Sequence, residues 1–201
     1  MKKNITKEQI VETALELMRD RDESRELNLR EIARVLGCAH TNLYNYFPSY
    51  NDLLWETHAA LMEIFMDMLT KKLKASSNAE SRLTGFFEAF ADIYLDNKGW
   101  FRLAWHKDIG GERPQRDVEV IESTNKALNR YLSEIWKELS GESPDMEETK
   151  RVLHNTHCYI VGEISNYLRG RVFIENEAKL KKYITHEATC MFKLCLSGGM
   201  M

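Results

Sequence analysis

Residues 29–54, LREIARVLGCAHTNLYNYFPSYNDLL, limit the possible folds of this 201-residue chain more than any other stretch. Two short helical patterns meet at Gly37-Cys38, and an aromatic cluster, a proline and a new helix start follow. Asn28 suits an N-cap, and Glu31 three residues on can bond back to it as in a capping box. Ile32, Ala33 and Leu36 form an apolar stripe, and Gly37 ends that helix where a positive φ is easily adopted. Between Ala39 and Phe47 only Leu43 and Phe47 fall at core spacing. The remaining side chains there are His40, Thr41, Asn42, Tyr44, Asn45 and Tyr46. Short hydrogen-bonders and aromatics of this kind reach base edges, thymine methyls and phosphates. A bracing helix, a glycine turn and a short second helix together make the layout of a helix-turn-helix. Pro48 stops the second helix, and Ser49 and Asp52 suit the start of a third.

The pattern beyond this segment is helical throughout. Thr6 and Gln9 form a capping box for a helix over about 6–20, carrying Ile10, Ala14, Leu17 and Met18 at helical spacing. Residues 20–26 (DRDESRE) read as a charged connector. A long helix over about 51–74 carries Leu54, Leu61, Phe65, Met68 and Leu69 and ends in Lys71, Lys72 and Lys74, which complement its C-terminal dipole. Ser77 with Glu80 predicts the cap of the next helix, with Leu83, Phe86, Phe87, Phe90 and Tyr94 inside. A short helix covers 100–106, and 108–114 reads as a loop around Gly110-Gly111. A helix over about 115–140 follows, and Ser143-Pro144 predicts N-cap and N1 of another. The last two helices are expected over about 145–169 and 176–196. The fold class is therefore all-α, with about nine helices and no convincing strand. Three prolines and ten glycines leave long helices unobstructed.

The residues of 29–54 resemble the N-terminal DNA-binding domain of TetR-type transcriptional regulators. That pattern has an Ile-Ala pair, a glycine, then Leu-Tyr-x-[His/Tyr]-Phe, a proline or polar turn, a lysine, and an acidic-Leu-Leu helix start. The chain supplies Ile32-Ala33, Gly37, Leu43-Tyr44-Asn45-Tyr46-Phe47, Pro48 and Asp52-Leu53-Leu54. The match is specific over the first quarter of the chain and loose, through length and helicity, over the rest. The resemblance implies a helix-turn-helix DNA-binding domain over 1–48 and a helical effector-binding and dimerisation domain over 49–201. It implies a homodimer paired through the last two helices, a palindromic double-stranded operator, and a repressor released by a small-molecule effector. Thr41, Asn42 and Asn45, by side-chain type, should face base edges. By match to that motif, Tyr44 and Tyr46 should meet the sugar–phosphate wall or thymine methyls. His40 and Tyr50 should support backbone contacts, with Arg30 among the available cations.

Two departures bear on DNA binding. The lysine expected before the third helix is Tyr50. Residues 39–50 hold no charged side chain, and residues 1–50 carry eight Lys/Arg against eight Asp/Glu. Phosphate neutralisation supplies much of DNA affinity, so the electrostatic footprint is thin, with Lys2, Lys3, Lys7, Arg30 and Arg34 as the available cations. A helical interaction protein of the same fold that has lost DNA binding is the alternative reading.

The middle of the chain is rich in large aromatics. An effector cavity between the helices over about 51–169 would draw on Phe65, Phe87, Phe90, Tyr94, Phe101, Trp105, His106, Trp136 and His157. Aromatics at this spacing equally make a helix-bundle core. His154, His157 and Cys158 lie at i, i+3 and i+4, a spacing open to a metal or thiol sensor. No metal or cofactor is otherwise expected. The penultimate helix is apolar on two sides, one with Val152, Thr156, Ile160 and Tyr167, the other with Leu153, Val161, Ile164 and Leu168, which favours a helix covered on both sides.

Other function classes are disfavoured. No Gly-x-Ser-x-Gly, phosphate loop or HExxH is present, so the chain is not expected to be an enzyme. The net charge is −3, so the whole protein is no general polycation. Glu8, Glu12 and Glu16 interrupt the first helix, against a signal peptide, and no apolar stretch approaches the roughly 18 residues of a membrane span. The cysteines Cys38, Cys158, Cys190 and Cys195 show no CxxC spacing, which suits buried thiols in a reducing cytoplasm.

Overall fold

The structure is a computed structural model, and it describes residues 5–21 and 27–197. All its regular elements are helical: α1 (Lys7–Met18), α2 (Leu29–Leu36), a 3-10 helix (His40–Asn45), α3 (Tyr50–Ala75), α4 (Ala79–Leu95), α5 (Lys98–Trp105), α6 (Gln115–Ser140), α7 (Met146–Leu168) and α8 (Glu177–Leu196). Among the described residues no helix is long and apolar enough to cross a membrane. Two compact units form. One lies within Met1–Ile64 and Asn97–Glu122, the other within Phe65–Asp96 and Ser123–Met201. Compactness thus groups 49–64 and 97–122 with the N-terminal residues, a different division from that at residue 48.

Local chemistry explains most element ends. The Thr6 hydroxyl accepts from the Gln9 amide at 3.2 Å while the Gln9 side chain accepts from the Thr6 amide at 3.1 Å. Asn28 caps α2 by accepting from the Glu31 amide at 3.1 Å, and the Glu31 carboxylate turns to Arg21 at 2.8 Å. Gly37 closes α2 at φ 71°, and the next amide, Cys38 N–H, donates back to the Ala33 carbonyl at 2.9 Å. The Asp52 amide donates to the Ser49 hydroxyl at the head of α3. Two predicted caps move. α4 is capped by Asn78, in a box with Ser81, instead of Ser77 with Glu80. α7 is capped by Asp145 instead of Ser143, so Pro144 precedes the cap rather than occupying N1. Ser, Asn and Asp all cap well, and the side chain that reaches the third amide decides.

In the first unit, Ile10, Ile32, Leu43, Phe47, Leu53, Leu54 and Phe101 are fully buried or nearly so. Burying a phenylalanine such as Phe47 contributes about 3 kcal/mol. α5 locks onto the end of α1: the Trp100 indole donates to the Leu15 carbonyl at 2.8 Å, and the Gly99 amide donates to the Arg19 carbonyl at 2.9 Å.

In the second unit α4, α7 and α8 pack together, and α4 is apolar along most of its length, from Leu83 to Leu95. Lys72 bridges Glu88 and Asp92 at 2.6 and 2.7 Å, and Lys181 bridges Asp92 and Asp96 at 3.2 and 2.6 Å. These pairs are partly exposed, so they add register more than stability. The thiols are not buried as expected: Cys158 is exposed and Cys38, Cys190 and Cys195 are half-buried, all four free. The buried stripe of α7 is Val152, Leu153, Thr156, Ile160 and Ile164. Gly162 is exposed, and nothing lies within 4 Å of where its Cβ would be.

Candidate nucleic-acid interface

The reading segment takes a tighter form than the expected α-helix. His40–Asn45 is a 3-10 helix, with Asn42 N–H donating to the Ala39 carbonyl at 2.9 Å and Tyr46 N–H to the Leu43 carbonyl at 3.0 Å. Thr and Asn are weak helix formers whose side chains compete for backbone groups, and an i→i+4 bond, Phe47 N–H to the Leu43 carbonyl at 3.0 Å, closes the segment. Leu43 and Phe47, 0% and 1% exposed, peg the segment to the core. What remains outside is an edge of hydrogen-bonding side chains: Thr41, Asn42 and Asn45 are exposed, and Tyr44 is 51% exposed. Arg30 is exposed on α2, and His40, Tyr46 and Tyr50 are half-buried. The Tyr46 hydroxyl donates to the Ile5 carbonyl at 2.5 Å, so it ties the segment to the start of the described chain.

The electrostatic footprint is thinner still in three dimensions. Lys7 pairs with Glu56 at 3.1 Å and lies over the Phe47 ring, 5.2 Å from its centre. Lys2 and Lys3 lie outside the described residues. Arg30 and Arg34 are the exposed cations of α2.

A polar cluster around the buried Asp117 lies in the same unit, and the sequence pattern did not single it out. His58 Nδ1 meets Asp117 Oδ1 at 2.6 Å, and Arg113 Nε meets Asp117 Oδ2 at 2.6 Å. The Trp55 indole donates to the Gly110 carbonyl at 3.0 Å, and the Arg113 guanidinium lies over the Trp55 ring at 5.4 Å. Burial works to raise the Asp117 pKa, but the bonds from His58 and Arg113 outweigh it and hold the carboxyl below its ordinary value. Gly110 and Gly111 take φ 70° and 72° to shape this loop.

The nine proposed effector residues divide between the units. Phe101, Trp105 and His106 fall in the first; Phe65, Phe87, Phe90, Tyr94, Trp136 and His157 fall in the second. Trp105 is 43% exposed, and His106 sets its ring against Phe101 at 5.0 Å. In the second unit the rings pack against one another, tilted or edge to face: Phe65 with Phe90 at 4.7 Å, Phe87 with Phe192 at 6.4 Å, Trp136 with Phe192 at 5.3 Å, and Phe90 with His157 at 4.9 Å. Phe86 and Phe192, absent from the proposed set, complete this cluster.

The trio His154, His157 and Cys158 is not brought together. Consecutive residues on a helix lie about 100° apart, so His157 turns to Phe90 while His154 and Cys158 stay exposed. Burial, with a smaller contribution from His154, lowers the His157 pKa from its ordinary 6.5 to about 4. The depressed folded-state value means that the unfolded chain binds the proton first as pH falls. Stability is full above pH 6.5 and is lost progressively down to pH 4, by about 2 kcal/mol at pH 5. Urea titrations at pH 7 and pH 5 should show this loss in the native chain and not in His157→Gln. Equal losses in both would refute the assignment.

The fold class these elements define, an all-α chain with a helix-turn-helix near its start, has solved counterparts. No protein-family model and no curated protein sequence matches the chain. A protein of unknown function from Rhodococcus sp. RHA1 superposes with a TM-score of 0.74 at 15% identity, covering 96% of each chain. A TetR-family transcriptional regulator from Streptomyces coelicolor gives 0.69 at 17% identity, over 94% of this chain and 84% of that one. The regulator FadR from Bacillus subtilis, solved with stearoyl-CoA, gives 0.66 at 16% identity, over 98% and 100%. The chain has the fold of TetR-family regulators.

Proposed function

We propose that the chain is a TetR-type transcriptional regulator, a ligand-responsive repressor that binds a palindromic operator as a homodimer. The observation that carries this reading is the exposed edge Thr41, Asn42, Tyr44 and Asn45, set on the fully buried pegs Leu43 and Phe47 just after the Gly37 turn. Short side chains on a rigid, short reading segment are what base-edge contacts need. Arg30, His40 and Tyr50 flank that edge as backbone supports. Tyr46 positions the segment through Ile5 and offers its ring edge to the sugar–phosphate wall. Residues 1–48 are the DNA-binding domain, residues 49–201 carry effector binding and dimerisation, and the protein works in the cytoplasm.

The effector domain would act by differential affinity for two arrangements of the readers, a coupling of roughly 1–3 kcal/mol. A FadR of the same fold holds a long-chain acyl-CoA. The aromatic cluster of the second unit supports an apolar effector here too, which would enter by displacing rings that pack against one another.

The near-neutral reader and the Lys7–Glu56 pair favour a second reading, an interaction protein that no longer binds DNA. Binding to an arbitrary duplex across a salt series separates the two. With Lys2, Lys3, Arg30 and Arg34 meeting phosphates in each copy of a dimer, log affinity should fall with log salt at a slope no steeper than about −7. Absence of binding down to the lowest salt would favour the interaction protein.

A further inference from the structure

α7 and α8 each carry the same two-residue motif, His154-x-x-x-Cys158 and His186-x-x-x-Cys190. In both, the cysteine sulfur lies 3.6 Å from Nε2 of the histidine one turn before it. Two ligands of one tetrahedral zinc ion, with Zn–S near 2.3 Å and Zn–N near 2.05 Å, stand about 3.6 Å apart. Each pair therefore already holds the spacing of half a Cys2His2 site. His154, Cys158 and His186 are exposed and Cys190 is half-buried, all away from the stripes that face the core.

The two pairs are also level with each other. α7 and α8 form an antiparallel hairpin, in which the Tyr167 hydroxyl meets Glu177 at 3.3 Å near the turn. Thirteen residues back from Tyr167 is His154, and thirteen on from Glu177 is Cys190; nine residues lead to Cys158 and His186. Yet among the described residues no three His, Cys, Asp or Glu side chains are grouped to hold an ion. Within one chain each pair is two ligands short of a tetrahedral site.

We infer that this hairpin is a binding site for a thiophilic divalent cation of the zinc type, shared between two copies of the chain. The α7 pair of one copy meets the α8 pair of the other, and the two-fold repeats the site. A two-fold interface is self-complementary, so a contact made once is made twice. Two level pairs on one hairpin suit that symmetry, and exposed Gly162, one turn beyond Cys158, leaves open space for a partner. Each site takes two imidazole nitrogens and two thiolates, and binding releases one proton per cysteine to solvent. The inference rests on the homodimer of the proposed function for its second copy and makes no use of DNA binding.

Cobalt(II), followed by displacement with zinc(II), tests the site on the reduced, metal-free full chain, with mass read by sedimentation. The expected result is the intense visible absorption of tetrahedral cobalt with a thiolate-to-cobalt charge-transfer band, saturating at one ion per chain on a dimer. Cys158→Ser and Cys190→Ser should each weaken binding by at least about tenfold, while Cys38→Ser leaves it unchanged. Circular dichroism confirms that these surface variants fold. Absence of the thiolate band overturns the site whatever the mass, and a dimer without the band leaves the regulator reading standing. The band on a chain that remains monomeric, or its survival in both Cys158→Ser and Cys190→Ser, also overturns the shared site.

Discussion

Gly99→Ala should destabilise the first unit by at least about 3 kcal/mol, at or beyond the upper end of ordinary overpacking. A Cβ at this position would stand 1.7 Å from the Met18 carbonyl oxygen and 2.8 Å from its carbon. Both are backbone atoms in the last turn of α1, so no side chain can swing aside. Relief requires α5 to lift from α1, and that endangers two bonds: Gly99 N–H to the Arg19 carbonyl, and the Trp100 indole to the Leu15 carbonyl. Each is worth about 1 kcal/mol. Gly162→Ala on α7 should have the opposite sign in the isolated chain, stabilising by up to about 1 kcal/mol, because its Cβ meets nothing and the helix propensity improves. Thermal and urea unfolding of the two variants measure the contrast. A Gly99→Ala chain as stable as the native one would refute the α1–α5 contact.

Tyr44→Ala should leave folding intact and cost about 2–3 kcal/mol of specific DNA affinity, roughly a 30- to 150-fold loss. Tyr44 stands 51% exposed between the buried Leu43 and the Asn45–Tyr46 turn, so its removal uncovers little core. A large aromatic held outward on a short rigid segment carries contact area at little entropic cost. The loss should appear on the preferred duplex and be much smaller on an arbitrary one, because phosphate affinity comes from the cations. Fluorescence anisotropy on both duplexes, with a thermal melt as control, reads the difference. Unchanged specific affinity in a folded Tyr44→Ala protein would remove Tyr44 from the interface.

What the sequence made legible is local. The Thr6–Gln9 box, the Asn28 cap, the Gly37 turn and the Leu43–Phe47 pegs all depend on residues within a few positions of each other, and spacing alone reveals them. Cap choice among neighbouring Ser, Asn and Asp residues was harder to read, because the decision falls to geometry at Asn78 and Asp145. The 3-10 form of His40–Asn45 was hidden for a similar reason: apolar spacing fits either helix over so few residues. Long-range pairs left no pattern at all. His58 meets Asp117 across 59 positions, and Gly99 reaches the end of α1 across 80 or more. Aromatic spacing also could not separate lining from packing: it places Phe86 inside α4, but it does not bring Phe192, on the last helix, to the same rings. The His154–Cys158 spacing was visible, but its match on α8 gains meaning only once the hairpin sets the two at one level.

Selection of random duplex DNA on the purified full-length protein tests the central claim most directly. The account predicts enrichment of a palindrome whose half-sites lie about one helical turn, roughly 10 base pairs, apart, with an affinity that falls as salt rises. No enrichment, together with no salt-dependent binding, would contradict it and leave the chain as a helical interaction protein.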